Sequence, residues 1–333
     1  MTITATTSKV GTTQPAGAEQ AEPERQNPDH ELIPVRLTAT QELAPNLRRL
    51  TFHAPEFERW RPGLDEFFGL VMPQHGRQFE PFTVGDGGNL RSAVAAIPEA
   101  DRPDLRWYTV RHHRPARAEI DVDVVTHGAN GPGSRWVLAA RPGMTAGLWT
   151  CSDLVLPANG PQLMVADASA APALQRILEA TARCHPDQLA HIRVLLQSEA
   201  PGELEPGFPG AWVQRLGGCL VIGEVSELVP ALEELTGRAP GRPGATTLPV
   251  PEPGVETANT EEPAGDTAPA GRAGSAPAVD RSPEHTPFQP ETVWASGESA
   301  LVKAVRKLAV KSWGVPSSNV VWVPFWIRGR ARP

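Results

Sequence analysis

The chain has 333 residues, 40% of them hydrophobic, and a formal charge of −7 from 31 Lys and Arg against 38 Asp and Glu. That length carries two domains with full cores, and a negative balance without a basic stripe among aromatics excludes a general nucleic-acid binder. No apolar run is long enough to span a bilayer or act as a signal peptide, and Cys151, Cys184 and Cys219 lack metal-site spacing; a cytoplasmic protein with no membrane partner, no iron–sulfur cluster and no other bound metal is expected.

Residues 1–30 are polar and aperiodic, which predicts a disordered tail. Residues 31–158 carry short alternating runs broken by Pro and Gly, such as Arg49-Leu50-Thr51-Phe52 and Glu119-Ile120-Asp121-Val122-Asp123-Val124. That texture predicts an antiparallel barrel. Asp121 and Asp123 alternate with apolar neighbours and are expected to solvate one side of their strand. The segment Arg106-Trp107-Tyr108-Thr109-Val110-Arg111 reads as a strand, so Arg106 and Tyr108 share one face while Trp107 and Thr109 share the other. About one strand later comes His127-Gly128-Ala129-Asn130-Gly131-Pro132-Gly133-Ser134. It predicts a tight turn with Pro132 at the first position of a helix, whose unpaired amides suit a phosphate.

From residue 159 the texture changes to strand and helix in alternation. Strands are expected at 163–166, 192–196 and 292–295, and helices at 171–181, 227–235 and 299–311, giving a parallel sheet over 159–237 and 291–333. Between these parts, 238–290 is crowded with Pro, Gly, Ala, Thr and Glu and predicts a disordered insert. The last helix turns Leu301, Val302, Val305, Leu308 and Ala309 toward a core and Lys303, Arg306, Lys307 and Lys311 elsewhere. Those cations, with Arg328, Arg330 and Arg332 of the tail, could steer an anionic ligand.

The two motifs together suit a flavin dinucleotide. Arg106 can fork onto phosphate oxygens, Tyr108 can pack against a ring system, and Thr109 at the strand end can turn a hydroxyl or amide to the ring's reactive edge. The order Arg106-x-Tyr108-Thr109-Val110-Arg111, then His127-Gly128, then Gly131-Pro132-Gly133-Ser134-Arg135-Trp136 resembles the siderophore-interacting protein family, part of the ferredoxin-reductase-like flavoproteins. The likeness covers roughly 32–236 and 291–330 and reaches Trp212 and Arg215, which match the family's middle strand, and Phe325-Trp326, where the family commonly has Tyr-Trp. It implies an antiparallel FAD-binding barrel followed by a nucleotide domain with a parallel sheet. It also implies a cytoplasmic reductase that takes hydride from NADH or NADPH into FAD and releases ferrous iron from a ferric siderophore; a monomer is expected.

On that resemblance the cofactor-binding residues are Arg106, Tyr108, Thr109, Val110, His127, Gly128, Gly131, Pro132, Gly133, Ser134, Asp167 and Trp326. No catalytic base is required, since the cofactor carries the chemistry. The sequence departs from the family at Ala166-Asp167-Ala168, where members typically show Gly-Asp-Glu. Asp167 serves there either as a helix cap or as a partner for a cofactor, and Trp326 either as a flavin cover or as packing between domains. Two other readings fit the same residues: a flavin-binding scaffold or sensor without nucleotide oxidation, and a flavin reductase with another acceptor.

Overall fold

The computed structural model describes residues 30–85, 88–126, 132–151, 159–237 and 287–329. Seven strands make the first lobe: β1 (Leu32–Ala44), β2 (Leu47–His53), β3 (Phe67–Met72), β4 (Asp104–Thr109), β5 (His112–Arg114), β6 (Glu119–Val125) and β7 (Thr145–Trp149). They form one antiparallel sheet in the order β4-β3-β7-β1-β2-β6-β5. Strict alternation puts Ile33, Val35 and Leu37 of β1, Leu50 and Phe52 of β2, and Ile120, Val122 and Val124 of β6 into a single core. The sheet curls because its two edge strands are consecutive in sequence. At the corner between them, Arg111 N donates to Asp121 O at 2.8 Å, and the Val110 side chain is buried in the core. Two short helices, α1 (Leu90–Ala96) and α2 (Pro132–Ala139), cover the curled sheet.

The second lobe holds β8 (Gln162–Asp167), α3 (Ala171–Cys184), β9 (Ile192–Gln197), β10 (Gly218–Ile222), α4 (Leu228–Thr236), β11 (Thr292–Glu298), α5 (Ser299–Lys307) and β12 (Val320–Trp326). Its five strands are all parallel, in the order β10-β9-β8-β11-β12. Both faces are covered, which is why β8 reads as a continuous apolar run. Leu163 and Val165 pack with α4 and α5, while Met164 and Ala166 pack with α3. In α5, Leu301, Val302 and Val305 are buried and Lys303, Arg306 and Lys307 exposed, as the helical spacing requires. Beyond Lys307 the helix loosens into one π turn over Leu308–Ser312. Ahead of β11, Phe288 lies under the Arg193 guanidinium, 4.2 Å from ring centre to Cζ, and its amide donates to Thr236 O at 2.8 Å.

Two expectations are corrected. Trp212 and Arg215 do not lie in a strand: Gly210–Trp212 is one 3-10 turn, and Arg215 folds back over the Trp212 ring at 5.1 Å. Proline and glycine just before this turn, and the Gly217-Gly218 pair after it, hold the chain off the sheet until β10 begins. Asp121 and Asp123 do not solvate their strand either, being only 4% and 5% exposed. Alternation correctly gives them a common side, but that side is roofed by cations. Asp121 takes Arg114 at 2.5 and 2.7 Å, Thr51 at 2.8 Å and His112 at 3.1 Å. Burial pushes its carboxyl pKa up, and these donors together hold it well below the usual carboxylate range.

Asp123 belongs to a charged knot between the lobes. Arg49 clamps it at 2.7 Å through each of two nitrogens and reaches Glu205 at 3.0 Å. Arg111 bonds Glu179 of α3 at 2.7 and 3.0 Å and Glu205 at 3.1 Å, and Gln175 of α3 donates to Glu205 at 2.9 Å. Alongside, Arg176 of α3 donates to Val110 O at 3.0 Å and Pro62 O at 2.7 Å, and the Trp294 indole donates to Asp65 at 3.0 Å. Leu64 of the first lobe packs into the core above α3. Apolar contact, buried hydrogen bonds and paired charges therefore fix one lobe on the other.

Candidate functional site

Strand β4 sits at the edge of the antiparallel sheet, so its two faces meet different neighbours. Arg106 and Tyr108 turn toward α2. Gly133, buried in the first turn of that helix, lies so close that a Cβ there would stand 2.9 Å from Arg106 Cγ and 3.4 Å from the Tyr108 hydroxyl. A side chain would fill the space between helix start, guanidinium and phenol, so the backbone can make this approach only with glycine. Trp136 and Val137 anchor α2 in the barrel core, with Trp136 stacked on Phe52 at 6.5 Å. The anchored helix brings its first turn, where backbone amides lack intrahelical partners, against Arg106.

Tyr108 is the only tyrosine in the chain. It packs against the barrel core, and burial pushes its phenol up to about 12 while Arg106 pulls the other way. A phenol held neutral is a hydrogen-bond donor at any physiological pH. Thr109 is buried at 3% exposure on the opposite face. Val110 turns its side chain into the core and spends its carbonyl on Arg176, so it serves the corner and the lobe junction. Pro132 opens α2, whereas His127, Gly128 and Gly131 lie outside the described residues.

A second functional edge lies at the C-terminal ends of the parallel strands. Because the strand order reverses between β8 and β11, this is the crevice where doubly wound sheets bind nucleotides. Asp167 ends β8 there. Its Oδ1 accepts from Ser169 Oγ at 2.6 Å and Ala170 N at 3.1 Å, and its Oδ2 accepts from Glu298 N and the Trp326 indole, both at 2.7 Å. The bonds from Ser169 and Ala170 steady the turn into α3, and those from Glu298 N and the Trp326 indole staple β8 to β11 and β12. Burial raises the Asp167 carboxyl in spite of its donors. Gly297, at φ +132°, presses against that carboxylate where any side chain would collide.

Asp167 and Trp326, expected as separate contacts to a cofactor, are thus joined to each other. Glu298 then caps α5 through Ala300 N at 2.5 Å and Leu301 N at 3.2 Å, and accepts Arg328 N at 3.2 Å. The Arg328 guanidinium pairs with Glu199, just beyond β9. The described part of the tail is strapped across the sheet edge, and the one tail cation it contains is spent on an acid.

Comparison with known proteins decides the family. A model of the siderophore-interacting FAD-binding domain matches residues 36–150, and a siderophore-interacting protein model matches 160–329. The chain belongs to the siderophore-interacting protein family. Within and around this family, the ferric vibriobactin reductase of Vibrio cholerae is 32% identical over 123 residues, 34% of this chain and 45% of that protein. An uncharacterized Mycobacterium tuberculosis protein is 30% identical over 218 residues, 61% of this chain and 73% of its own. The crystal structure of the siderophore-interacting protein SipS from Aeromonas hydrophila superposes with a TM-score of 0.57 at 20% identity, covering 91% of this chain and 94% of that one. That last likeness is one of fold: an antiparallel barrel followed by a parallel sheet, the ferredoxin-reductase-like arrangement.

The first lobe is thus a siderophore-interacting FAD-binding domain, and its residues fit the cofactor. The close approach of Gly133 to Arg106 and Tyr108 gathers a guanidinium, a helix start and a phenol, a set that suits a diphosphate with an aromatic face beside it. Among the described residues no helix is long and apolar enough to cross a membrane.

Proposed function

We propose that this chain is a cytoplasmic, monomeric NAD(P)H-dependent ferric-siderophore reductase that releases ferrous iron. The observation that carries the reading is the closure of Gly133 on Arg106 and Tyr108, in a chain of this family. FAD, when bound, supplies the conversion from a two-electron donor to a one-electron acceptor. The protein's share is placement. Arg106 and the α2 amides hold the diphosphate, the neutral Tyr108 phenol packs and donates beside it, and the corner at Val110 and Arg111 keeps β4 fixed to the second lobe. On the family pattern His127, Gly128 and Gly131 are also assigned to the cofactor. No side chain need take a proton from the iron complex. Each nucleotide oxidised therefore yields a pair of ferrous ions with no acid–base residue in the path.

A second reading is favoured by the strap at the sheet edge: a flavin-binding scaffold that no longer oxidises nicotinamide nucleotides, because Asp167 has its acceptor sites filled and Trp326 lies in the crevice. Anaerobic absorbance separates the two. The purified protein is mixed with NADPH, then NADH, and a ferric catecholate or hydroxamate is added with a ferrous chelator present. Bleaching of the flavin band followed by ferrous-complex colour is the expected result. A yellow protein that stays oxidised with both nucleotides overturns the reductase in favour of the scaffold.

A further inference from the structure

The face of β4 turned away from the cradle borders a cavity of about 510 Å³ between the two lobes. Phe67 and Trp107 form one wall, their rings edge to face at 5.7 Å and 67°. The Val323–Phe325 stretch of β12 forms the other, and Asn89 and Arg91, at the start of α1, stand at the rim. The Arg91 guanidinium lies over the Trp107 ring at 5.6 Å. Among the described residues no ion pair engages it. Trp107 is held from beneath as well, since a Cβ on Gly69 would come within 3.3 Å of its ring. The indole is thus a fixed surface and the guanidinium an available charge. Volume, inter-lobe position and a few polar groups on apolar walls are the marks of a small-molecule site.

We propose that this cavity seats an aryl-oxygen arm of the ferric chelate, a phenolate or catecholate ring, in preference to an aliphatic hydroxamate arm. The assignment rests on the ferric-siderophore reading above. Three aromatic side chains, Phe67, Trp107 and Phe325, offer faces and edges that reward a flat ring and give little to a linear polar arm. Arg91 supplies the charge that a phenolate oxygen needs at the ring's polar end, and Asn89 a neutral amide beside it. The cradle formed by Arg106, Tyr108 and α2 lies across the same edge strand, so the two sites share β4 without sharing a side chain.

Binding of redox-inert gallium(III) complexes to the FAD-loaded protein tests the assignment, with bound metal measured by equilibrium dialysis. The 2,3-dihydroxybenzoate complex is compared with the acetohydroxamate complex. The aryl complex is expected to bind at least about tenfold more tightly, and Trp107→Leu and Arg91→Gln each to weaken it by about five- to tenfold while leaving the hydroxamate complex and the flavin content unchanged. Trp107→Phe should keep most of the aryl binding, which separates a lost ring from a damaged fold. Equal affinities for the two complexes, or aryl binding indifferent to both Trp107→Leu and Arg91→Gln, overturns the proposal. Flavin reduction by NADPH and NADH is followed on the same samples. Its failure alone would remove the reductase reading, whereas gallium binding without aryl preference would remove only the role of the cavity.

Discussion

Replacing Arg111 with Met tests whether the charged knot holds the lobes together. Methionine keeps much of the stem's volume, so the change removes charge and hydrogen bonds more than packing. The Arg111 side chain is 4% exposed, and it answers Glu179 and Glu205 from the barrel side. Its Nε makes no hydrogen bond and stays 3.8 Å from Asp123, so that carboxylate loses little and keeps both bonds to Arg49. Glu205, 22% exposed, retains Arg49 and Gln175 but loses one of its two cations. Glu179, 40% exposed, loses its fork and can turn to water. Breaking a fully buried pair costs about 3–5 kcal/mol, and the exposure of Glu179 discounts that toward the lower end. A loss of about 3 kcal/mol is expected, or a fall in Tm of about 6–12 °C for lobes of this size. Thermal denaturation followed by circular dichroism reads it. A double-mutant cycle with Glu179→Gln should show coupling of about 1 kcal/mol or more across the junction. A Tm within about 2 °C of the parent, with coupling near zero, would show that apolar contact alone joins the lobes and that the knot is incidental.

Tyr108 gives a titration free of overlap, because no other residue in the chain is a tyrosine. The folded protein should ionise with a midpoint of about 12, against about 10 in denaturant, read from the tyrosinate difference band. Since the unfolded chain gives up this proton first, stability should fall as pH rises through that window, by a ceiling of about 3 kcal/mol at 1.4 kcal/mol per pH unit. A folded midpoint near the ordinary value would mean that the phenol is open to water. Gly133→Ala should lower FAD affinity by about tenfold or more, about 1.4 kcal/mol, because its Cβ would stand 2.9 Å from Arg106 Cγ in the gap. Recovery of flavin fluorescence on dilution measures it, and unaltered affinity would place the dinucleotide elsewhere.

The barrel strands and the covered parallel strands were legible because side-chain period and two-sided burial leave a local mark in Val35-Arg36-Leu37 and in Leu163-Met164-Val165-Ala166. The pairing of Arg106 and Tyr108 on one face of β4 was legible for the same reason, and Pro132 marked the helix start, but the approach of Gly133 to both side chains was not. What escaped was non-local. Asp121 and Asp123 looked solvated because a strand pattern tells which side a residue takes and not what covers that side; their roof comes from Arg49, Arg111 and Arg114. Likewise, nothing near Trp294 in sequence points to Asp65, 229 residues away. Asp167 and Trp326 each read in sequence as a cofactor contact, and nothing local shows that the fold joins them by a hydrogen bond.

The cavity was missed for a more instructive reason. Attention to a motif favours its named positions, Arg106, Tyr108 and Thr109, and treats the intervening residue as a spacer. On an edge strand the intervening side chain faces a different neighbour, and Trp107 fills that place with a large, rigid ring. One strand of this fold therefore has two outlets, a cationic and amide-rich face toward α2 and an aromatic face toward β12. On the proposed reductase reading, cofactor and acceptor must sit close together yet not compete for the same groups, and alternation along a single edge strand would meet that requirement. This makes a sharp demand on the variants: Gly133→Ala should act on FAD and spare the aryl complex, while Trp107→Leu should do the reverse. If both changes moved both ligands together, the faces would be one site, and the division of β4 between cofactor and acceptor would have to be abandoned.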